Sequence, residues 1–241
     1  MQRYGNLDNA PWIADSSRAD PALLSNLNPN SNILDLGCAY GVVSFAISPL
    51  CNSVISLDSN KDHVEFVRIR AQQERVPNIT SVLADFTTIP FRKNSFDLII
   101  LNQGIPSSII KKHATSFLKQ LYLLLKPEGE IYVGVDRYKY RSKSISISCH
   151  KLTKNLQSIG FTVTKVLIPL KTYNNFKFLV DYKLTSPFSF LLEFIIQEYT
   201  SKHFSEKFFR NILKITNLTG INKLLFMSLN FHSYIIFARK S

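Results

Sequence analysis

The chain has 241 residues, of which 45% are hydrophobic, so it is long enough to bury a full core as one domain. Its cysteines, Cys38, Cys51 and Cys149, are odd in number and form no Cys-x-x-Cys pair, which supports neither a disulfide framework nor a zinc site. The net charge is +12, made up of −2 in residues 1–110 and +14 in residues 111–241. The first 20 residues contain three aspartates and no apolar run, which excludes an ordinary signal peptide, and we expect a cytoplasmic protein.

Apolar, β-branched segments alternate with helical segments along the chain. Strands are predicted near 32–36, 53–58, 79–84, 96–102, 130–136, 161–168 and 233–239, and helices near 41–49, 61–74, 111–125 and 151–158. This alternation predicts an α/β fold with a doubly wound, mostly parallel seven-stranded sheet and right-handed crossovers. Because ligands of such sheets bind at the carboxyl ends of the strands, the loops after the first five strands should share one crevice.

The first predicted strand runs into a loop in which every second residue is small or acidic, namely Asp35, Gly37, Ala39 and Gly41. Small residues let the backbone approach a ligand closely at a strand-to-helix turn. The second strand ends in Asp58, where a carboxylate can bind the two hydroxyls of a ribose. A dinucleotide fingerprint would need glycines where the chain has Ala39 and Val42. The loop therefore favours a nucleotide-like cofactor that has no pyrophosphate.

The pattern Asp-x-Gly-x-Ala-x-Gly resembles motif I of the class I S-adenosylmethionine-dependent methyltransferases, type 11-like. Later segments resemble the same family in the same order: Ala84-Asp85-Phe86, Ile89-Pro90-Phe91, Ser95-Phe96-Asp97 and Leu125-Lys126-Pro127-Glu128-Gly129. The resemblance covers roughly residues 30–136 and departs from the family at Ala39 and Glu128, which stand where glycine is usual. It implies the Rossmann-like methyltransferase fold and S-adenosyl-L-methionine as the cofactor.

The resemblance also implies a set of cofactor-binding residues in the strand-end loops: Asp35, Gly37, Cys38, Ala39, Tyr40, Gly41, Asp58, Ser59, Asp85, Phe86, Asn102 and Gln103. Catalysis by positioning needs a general base only if the acceptor must lose a proton. Asp136 and His150 are the candidates for that base, with a loop cap and a partly exposed histidine as the structural alternatives. No metal is expected.

The basic second half of the chain should supply the substrate contacts. Four basic residues follow the fifth strand directly, Arg137, Lys139, Arg141 and Lys143. They predict either an electropositive mouth that recruits an anionic acceptor or a solvated loop. Residues 170–230 are dense in aromatics and are predicted to form a helical insert before the last strand, either a substrate lid or a membrane-contacting surface. The methyltransferase domain itself would then comprise residues 1–169 and 231–241.

The sequence thus predicts a methyltransferase that acts on a small-molecule, sugar or glycan-type acceptor, in keeping with a weaker resemblance of residues 131–137 to methyltransferases of glycan and secondary-metabolite pathways. Two alternatives stay open. A nucleic-acid (RNA) methyltransferase would explain the basic half, although residues 101–106 lack the Asn-Pro-Pro-Tyr type segment that grips a flipped base. The other alternative is a non-catalytic binding protein with the same cofactor fold.

Overall fold

The computed structural model of the protein describes residues 21–24, 27–102, 114–135, 149–171, 177–181 and 234–241. The strands are β1 Asn32–Leu36, β2 Ser53–Asp58, β3 Ile79–Leu83, β4 Phe96–Leu101, β5 Leu125–Val135, β6 Phe161–Lys171, β7 Lys177–Asp181 and β8 Tyr234–Lys240. The helices are α1 Pro21–Leu24, α2 Val42–Ile47, α3 Lys61–Gln73, α4 Ala114–Leu124 and α5 Cys149–Ile159, with a 3-10 turn at Ser48–Leu50. Strands and helices thus alternate as the sequence predicts.

The strands form one mixed sheet in the order β3-β2-β1-β4-β5-β8-β6-β7. The five strands from β3 to β5 are parallel, β8 lies antiparallel between β5 and β6, and β7 pairs antiparallel with β6. The chain order reverses between β1 and β4, which is the switch point where sheets of this kind bind ligands. The topology therefore points to the loops that follow β1, β2 and β4.

Seven strands were predicted, and the described residues form eight, because β7 adds one at the sheet edge. Residues 170–230 were expected to be helical, but their first described part is extended: β6 continues to Lys171 and β7 returns along it. The turn signal Asn174-Asn175 lies between these two strands in the sequence. The remainder of the predicted insert, residues 182–230, lies outside the described residues.

Two buried clusters cover the two faces of the sheet, as expected for a doubly wound fold. One contains Leu34 and Leu36 of β1 with leucines of α4 and α5, including Leu121. The other contains Ile33 of β1 with side chains of α2 and α3, including Val67. Ile33, Leu34 and Leu36 thus make β1 apolar towards both faces, and its polar residues, Asn32 and Asp35, lie near its two ends.

Candidate cofactor site

The loop between β1 and α2 is held in a left-handed backbone conformation at every second residue. The φ angles are 77° at Gly37, 47° at Ala39 and 74° at Gly41. The N–H groups of Gly37 and Cys38 both donate to the carbonyl oxygen of Leu57, at 2.8 and 3.1 Å. The loop is therefore folded against the end of β2, and the predicted close approach of the first two loops is present.

The two glycines of this loop serve different purposes. A Cβ added at Gly37 would lie 3.5 Å from the ring of Phe86, an ordinary contact, so the left-handed backbone angle explains this glycine. A Cβ at Gly41 would lie 2.9 Å from Val67 and 3.2 Å from Phe45. Gly41 thus lets α2 pack closely on α3, and its predicted role as a cofactor contact stays a prediction.

Asp58 connects the first two loops through its carboxylate. Its Oδ2 accepts the N–H of Ala39 at 2.9 Å, and its Oδ1 accepts the N–H of Asn60 at 2.9 Å. Its carbonyl oxygen accepts the N–H of Ala84 at 3.1 Å, which ties the end of β3 to the same point. A carboxylate offers about four acceptor positions, so roughly two remain for hydroxyl donors of a ligand.

Asp35 lies below the loop in a buried polar chain and is 1% exposed. The hydroxyl of Ser44 donates to its Oδ2 at 2.6 Å, and the hydroxyl of Ser56 donates to Ser44 at 2.7 Å. Burial raises the pKa of Asp35 to about 6, with the Ser44 hydrogen bonds opposing the shift and the charge of Asp58 adding to it. Asp35 therefore supports the loop from behind, which sequence spacing could not distinguish from a direct ligand contact.

Cys38 and Tyr40 alternate with the left-handed residues and point in different directions. The thiol of Cys38 is buried in the cluster under α2 and α3, and burial raises its pKa, so the side chain is a protonated core residue. Tyr40 is 36% exposed. Ser59 is exposed between Asp58 and Asn60. Of these three predicted contacts, Cys38 has only its backbone available to a ligand.

The loops after β3 and β4 follow strands of the same parallel part of the sheet and therefore lie at the same end of it. Asp85 is exposed, and its Oδ1 accepts both the N–H and the hydroxyl of Thr87, at 2.7 and 2.6 Å, which lowers the pKa of Asp85. Phe86 is half-buried against the core beside Gly37. Asn102 is half-buried just after β4. Phe86 thus places an aromatic ring where the loop after β3 meets the loop after β1.

Three predicted site residues are not placed by their side chains. Gln103 and Asp136 lie outside the described residues, each directly after a described segment. His150 lies in the first turn of α5, where only its backbone is described. Their roles stay predictions.

His63 is a site residue that the sequence analysis did not single out. It lies in the first turn of α3, and its Nδ1 is 3.4 Å from Oδ2 of Asp58. Its ring packs edge to face on Tyr40 with 4.8 Å between the ring centroids. The available signal was its position five residues after the acid that ends β2, on the helix that starts there.

Comparison with known protein families matches residues 27–176 to the family described as methyltransferase domain. The chain belongs to this family. The methyltransferase-domain protein is 29% identical over 113 residues to the ubiquinone/menaquinone biosynthesis C-methyltransferase UbiE of Wigglesworthia glossinidia brevipalpis, covering 45% of this chain and 44% of the relative. It is 28% identical over 103 residues to the demethylmenaquinone methyltransferase of Lactococcus lactis, covering 42% and 40%. The match spans less than half the length of both relatives.

Solved structures share the fold of this methyltransferase-domain protein. The YcgJ protein of Bacillus subtilis has a TM-score of 0.57 at 15% identity, covering 91% of this chain and 96% of that protein. A putative sarcosine dimethylglycine methyltransferase of Galdieria sulphuraria has a TM-score of 0.56 at 18% identity, covering 98% and 86%. The predicted resemblance and the Rossmann-like methyltransferase fold are confirmed.

The family and the fold imply S-adenosyl-L-methionine as the cofactor. The described residues fit this molecule: Asp58 has acceptor positions left for ribose hydroxyls, and the loop at Gly37 lies beside the aromatic ring of Phe86. When bound, the cofactor supplies an electrophilic methyl group on a sulfonium. Across the ranges that the structure describes, no group of three or more His, Cys, Asp or Glu could hold a metal ion.

Proposed function

We propose that this protein is an S-adenosylmethionine-dependent methyltransferase that acts on a small-molecule acceptor. The observation that carries the proposal is the junction at Asp58, where one carboxylate joins the loop after β1 to the start of α3 and keeps acceptor positions for a ribose. The junction lies at the switch point of the sheet, where ligands of this fold class bind.

The acceptor class draws on the relatives and on charge. The relatives named above act on quinone precursors by their names, and another match is called a cycloartenol-C-24-methyltransferase, which supports a small organic acceptor. The charge of +14 in residues 111–241 supports an acceptor that is anionic, such as a charged sugar or glycan-type molecule. Turnover of such an acceptor should fall at high salt, because screening weakens the attraction between exposed charges.

Methyl transfer requires mainly that the acceptor atom, the methyl carbon and the sulfur lie in line. The bond between the methyl carbon and sulfur breaks as the bond to the acceptor forms, and the electron pair stays on sulfur. Holding both partners in line can supply up to about 7–11 kcal/mol of the barrier reduction. The rigid frame around Asp58 and Gly37 suits this task, because backbone hydrogen bonds fix both residues.

Removal of an acceptor proton would need a base on the acceptor side of the crevice. We assign this role to Asp136, which follows the carboxyl end of β5 in the sequence, or to His150 in the first turn of α5. The pH dependence of turnover in Asp136→Asn and His150→Gln tests the assignment. A base is identified if its variant loses the rise of turnover with pH while cofactor affinity is unchanged.

The proposed acceptor lid is residues 182–230, the part of the predicted insert that follows β7. Truncation of Phe208 and Phe209 to Ala should impair turnover and spare cofactor affinity, because the cofactor residues lie in other loops. Contact with a membrane surface is the competing role for this segment. None of the helices in the described ranges is long and apolar enough to cross a membrane. Full activity of a folded double variant, together with its release from lipid vesicles, would favour the membrane role.

The proposed function is tested by incubating the protein with methyl-labelled cofactor and separate pools of quinone precursors, sugar nucleotides, phenolics, lipid extract and transfer RNA. Label in a small-molecule pool supports the proposal. Label in transfer RNA alone would support the second candidate, an RNA methyltransferase, which the basic half of the chain favours. Tight cofactor binding without label transfer to any pool would support a non-catalytic binding protein. In each arm Asp58→Asn serves as the control that lacks one carboxylate oxygen.

A further inference from the structure

We propose that two copies of this protein associate through the outer edge of β3, so that their sheets join into one continuous sheet across a twofold axis at Ser81. β3 is the last strand at one end of the sheet, and β2 is the only described strand that pairs with it. The inference goes beyond the proposed function, because it requires neither the cofactor nor the acceptor.

The free edge of β3 presents a regular row of backbone donors and acceptors. On the inner side, the carbonyl oxygen of Asn78 accepts the N–H of Val54 at 2.8 Å. At the other end of the strand, the N–H of Ala84 donates to the carbonyl oxygen of Asp58 at 3.1 Å. Successive residues of a strand turn their backbone groups to opposite sides, so the even-numbered residues of β3 bond to β2. The backbone groups that face outwards therefore belong to the odd-numbered residues, Ile79, Ser81 and Leu83.

This edge lacks the features that normally prevent strands from pairing. Edge strands are usually protected by charged side chains, by a proline or by a bulge. Residues 76–84 contain no charged side chain, and Pro77 precedes the strand. The register of β3 with β2 is continuous. Leu83 is 53% exposed, more than any other large hydrophobic side chain in the described ranges. The β3 edge is therefore open to another strand and leaves an apolar side chain in water.

A second copy of β3 fits this edge when it runs antiparallel and is centred on Ser81. Ser81 then faces Ser81 of the partner subunit, and Leu83 faces Ile79 of the partner subunit. The two residues of each such pair exchange two hydrogen bonds. Ile79 belongs to the buried cluster that contains side chains of α2 and α3, and Leu83 lies on the same face because it follows four residues later. The pairing thus covers the exposed leucine of each copy with the apolar cluster of the other, and the edge is self-complementary, as a twofold interface requires.

The charge of the chain distinguishes the β3 edge from the β7 edge. The strands β3, β2, β1 and β4 come from residues 1–110, whose net charge is −2, and the other four come from residues 111–241, whose net charge is +14. Pairing at β3 keeps the two basic halves at opposite ends of the joined sheet, whereas pairing at β7 would bring them together against their repulsion. β7 also begins at Lys177 and ends at Asp181, charges of the kind that protect an edge. We therefore expect a closed dimer.

Sedimentation velocity of the full chain measures this association. The wild-type protein should show a monomer–dimer equilibrium between about 1 and 200 μM, because one strand pair with its flanking side chains makes a small interface. Ser81→Pro removes an outward N–H and leaves the hydrogen bonds to β2 in place, so it should weaken dimerisation about tenfold or more. Ser81→Val keeps that N–H and should dimerise as the wild type does.

A second pair of variants tests the apolar contact. Leu83→Lys should weaken dimerisation about three- to tenfold, because it removes the leucine that covers Ile79 of the partner subunit. Leu123→Lys is the matched control, since Leu123 is 44% exposed but lies on α4, and it should change nothing. Chemical denaturation checks that each variant is folded.

Three results would overturn the proposal. One is a wild-type protein that stays monomeric over the whole concentration range or forms species larger than a dimer. Another is a dimer that folded Ser81→Pro and Leu83→Lys leave unchanged. The third is an association that Leu123→Lys weakens as much as Leu83→Lys does.

Discussion

The two ends of the parallel strands, called here the carboxyl edge and the amino edge of the sheet, carry similar polar residues. These residues have different hydrogen-bonding partners at the two ends. At the carboxyl edge, Asp58 keeps acceptor positions open, and Nδ1 of His63 is buried without a hydrogen bond among the described residues. At the amino edge, Asp97 accepts the N–H of Asn32 at 2.8 Å and pairs with Lys126 at 2.8 Å. One edge is thus left incomplete, and the other is closed by its own partners.

The closure of the amino edge extends across three strands. The ammonium group of Lys240, at the end of β8, donates to Asn94 and to the carbonyl oxygen of Leu125, at 3.0 and 2.7 Å. Arg239 pairs with Glu130 at 3.0 Å. A polar cluster thus indicates a binding site when its hydrogen-bonding capacity exceeds what the protein itself supplies. Charge alone does not separate the two edges.

The largest effect is expected for Gly41→Ala. The substitution places a Cβ 2.9 Å from Val67 in a left-handed backbone, and strain plus overpacking should lower the free energy of unfolding by roughly 2–6 kcal/mol. Gly37→Ala is the matched variant, since it shares the positive φ but meets Phe86 only at 3.5 Å. Gly37→Ala should lower the free energy of unfolding by less than Gly41→Ala does, and it should weaken cofactor binding by more. Chemical denaturation and calorimetry measure the two quantities, and equal losses of stability would contradict this difference.

The second effect concerns the pH dependence of stability. The pKa of Asp35 is raised from 3.8 to about 6, so the folded protein keeps a proton that the unfolded chain has lost. The free energy of unfolding is therefore highest below pH 4, where Asp35 is protonated in both states. It falls by at most about 3 kcal/mol as the pH rises through about 6. Asp35→Asn should therefore gain stability relative to the wild type between pH 4 and pH 7. A difference that does not change with pH would show that Asp35 ionises normally.

The third effect compares one carboxylate from each edge. Asp58→Asn should weaken cofactor binding by about 1.5–3 kcal/mol, the range for hydrogen bonds to charged groups. Asp58→Ala should in addition loosen the loop, because it removes both acceptors of the Ala39 and Asn60 N–H groups. Asp97→Asn is the control at the amino edge and should leave cofactor affinity unchanged. Equal affinity losses in the Asp58 and Asp97 variants would mean that the effect is not local to the crevice.

The smallest effect is expected at Lys126. Its ion pair with Asp97 is about one-third exposed on both sides, so Lys126→Met should cost only about 0.2–1 kcal/mol of stability. Cofactor binding should not change. A larger loss that disappears in high salt would show that the amino edge depends on this pair more than its exposure indicates.

The sequence predicted the sheet well where the pattern is local. The strands β1 and β2 and their loops follow from apolar runs that end in Gly37 and Asp58, so their bounds agree with the structure. The strand β7 was missed because its pairing with β6 depends on a turn, and the aromatic-rich segment favoured a helical interpretation. An edge strand leaves little trace in hydrophobic periodicity.

The sequence predicted the candidate site as a set of positions. The structure separates the members whose side chains are buried from those that are exposed. Asp35 and the thiol of Cys38 are buried, whereas the neighbouring Gly37 is partly exposed and Tyr40 is exposed. His63 was not singled out from the sequence, because its approach to Asp58 at 3.4 Å becomes visible only once the start of α3 is placed against the end of β2. Backbone angles and packing decide which of these side chains are buried, and motif spacing does not encode either of them.

The assignment of the cofactor is tested most directly by calorimetric titration of the wild-type protein with S-adenosylmethionine and, separately, with NAD. The loop geometry at Gly37, Ala39 and Gly41 and the ribose acceptor Asp58 predict saturable binding of the sulfonium cofactor and none of the dinucleotide. Binding of NAD with no response to S-adenosylmethionine would contradict the claim that this site binds S-adenosylmethionine.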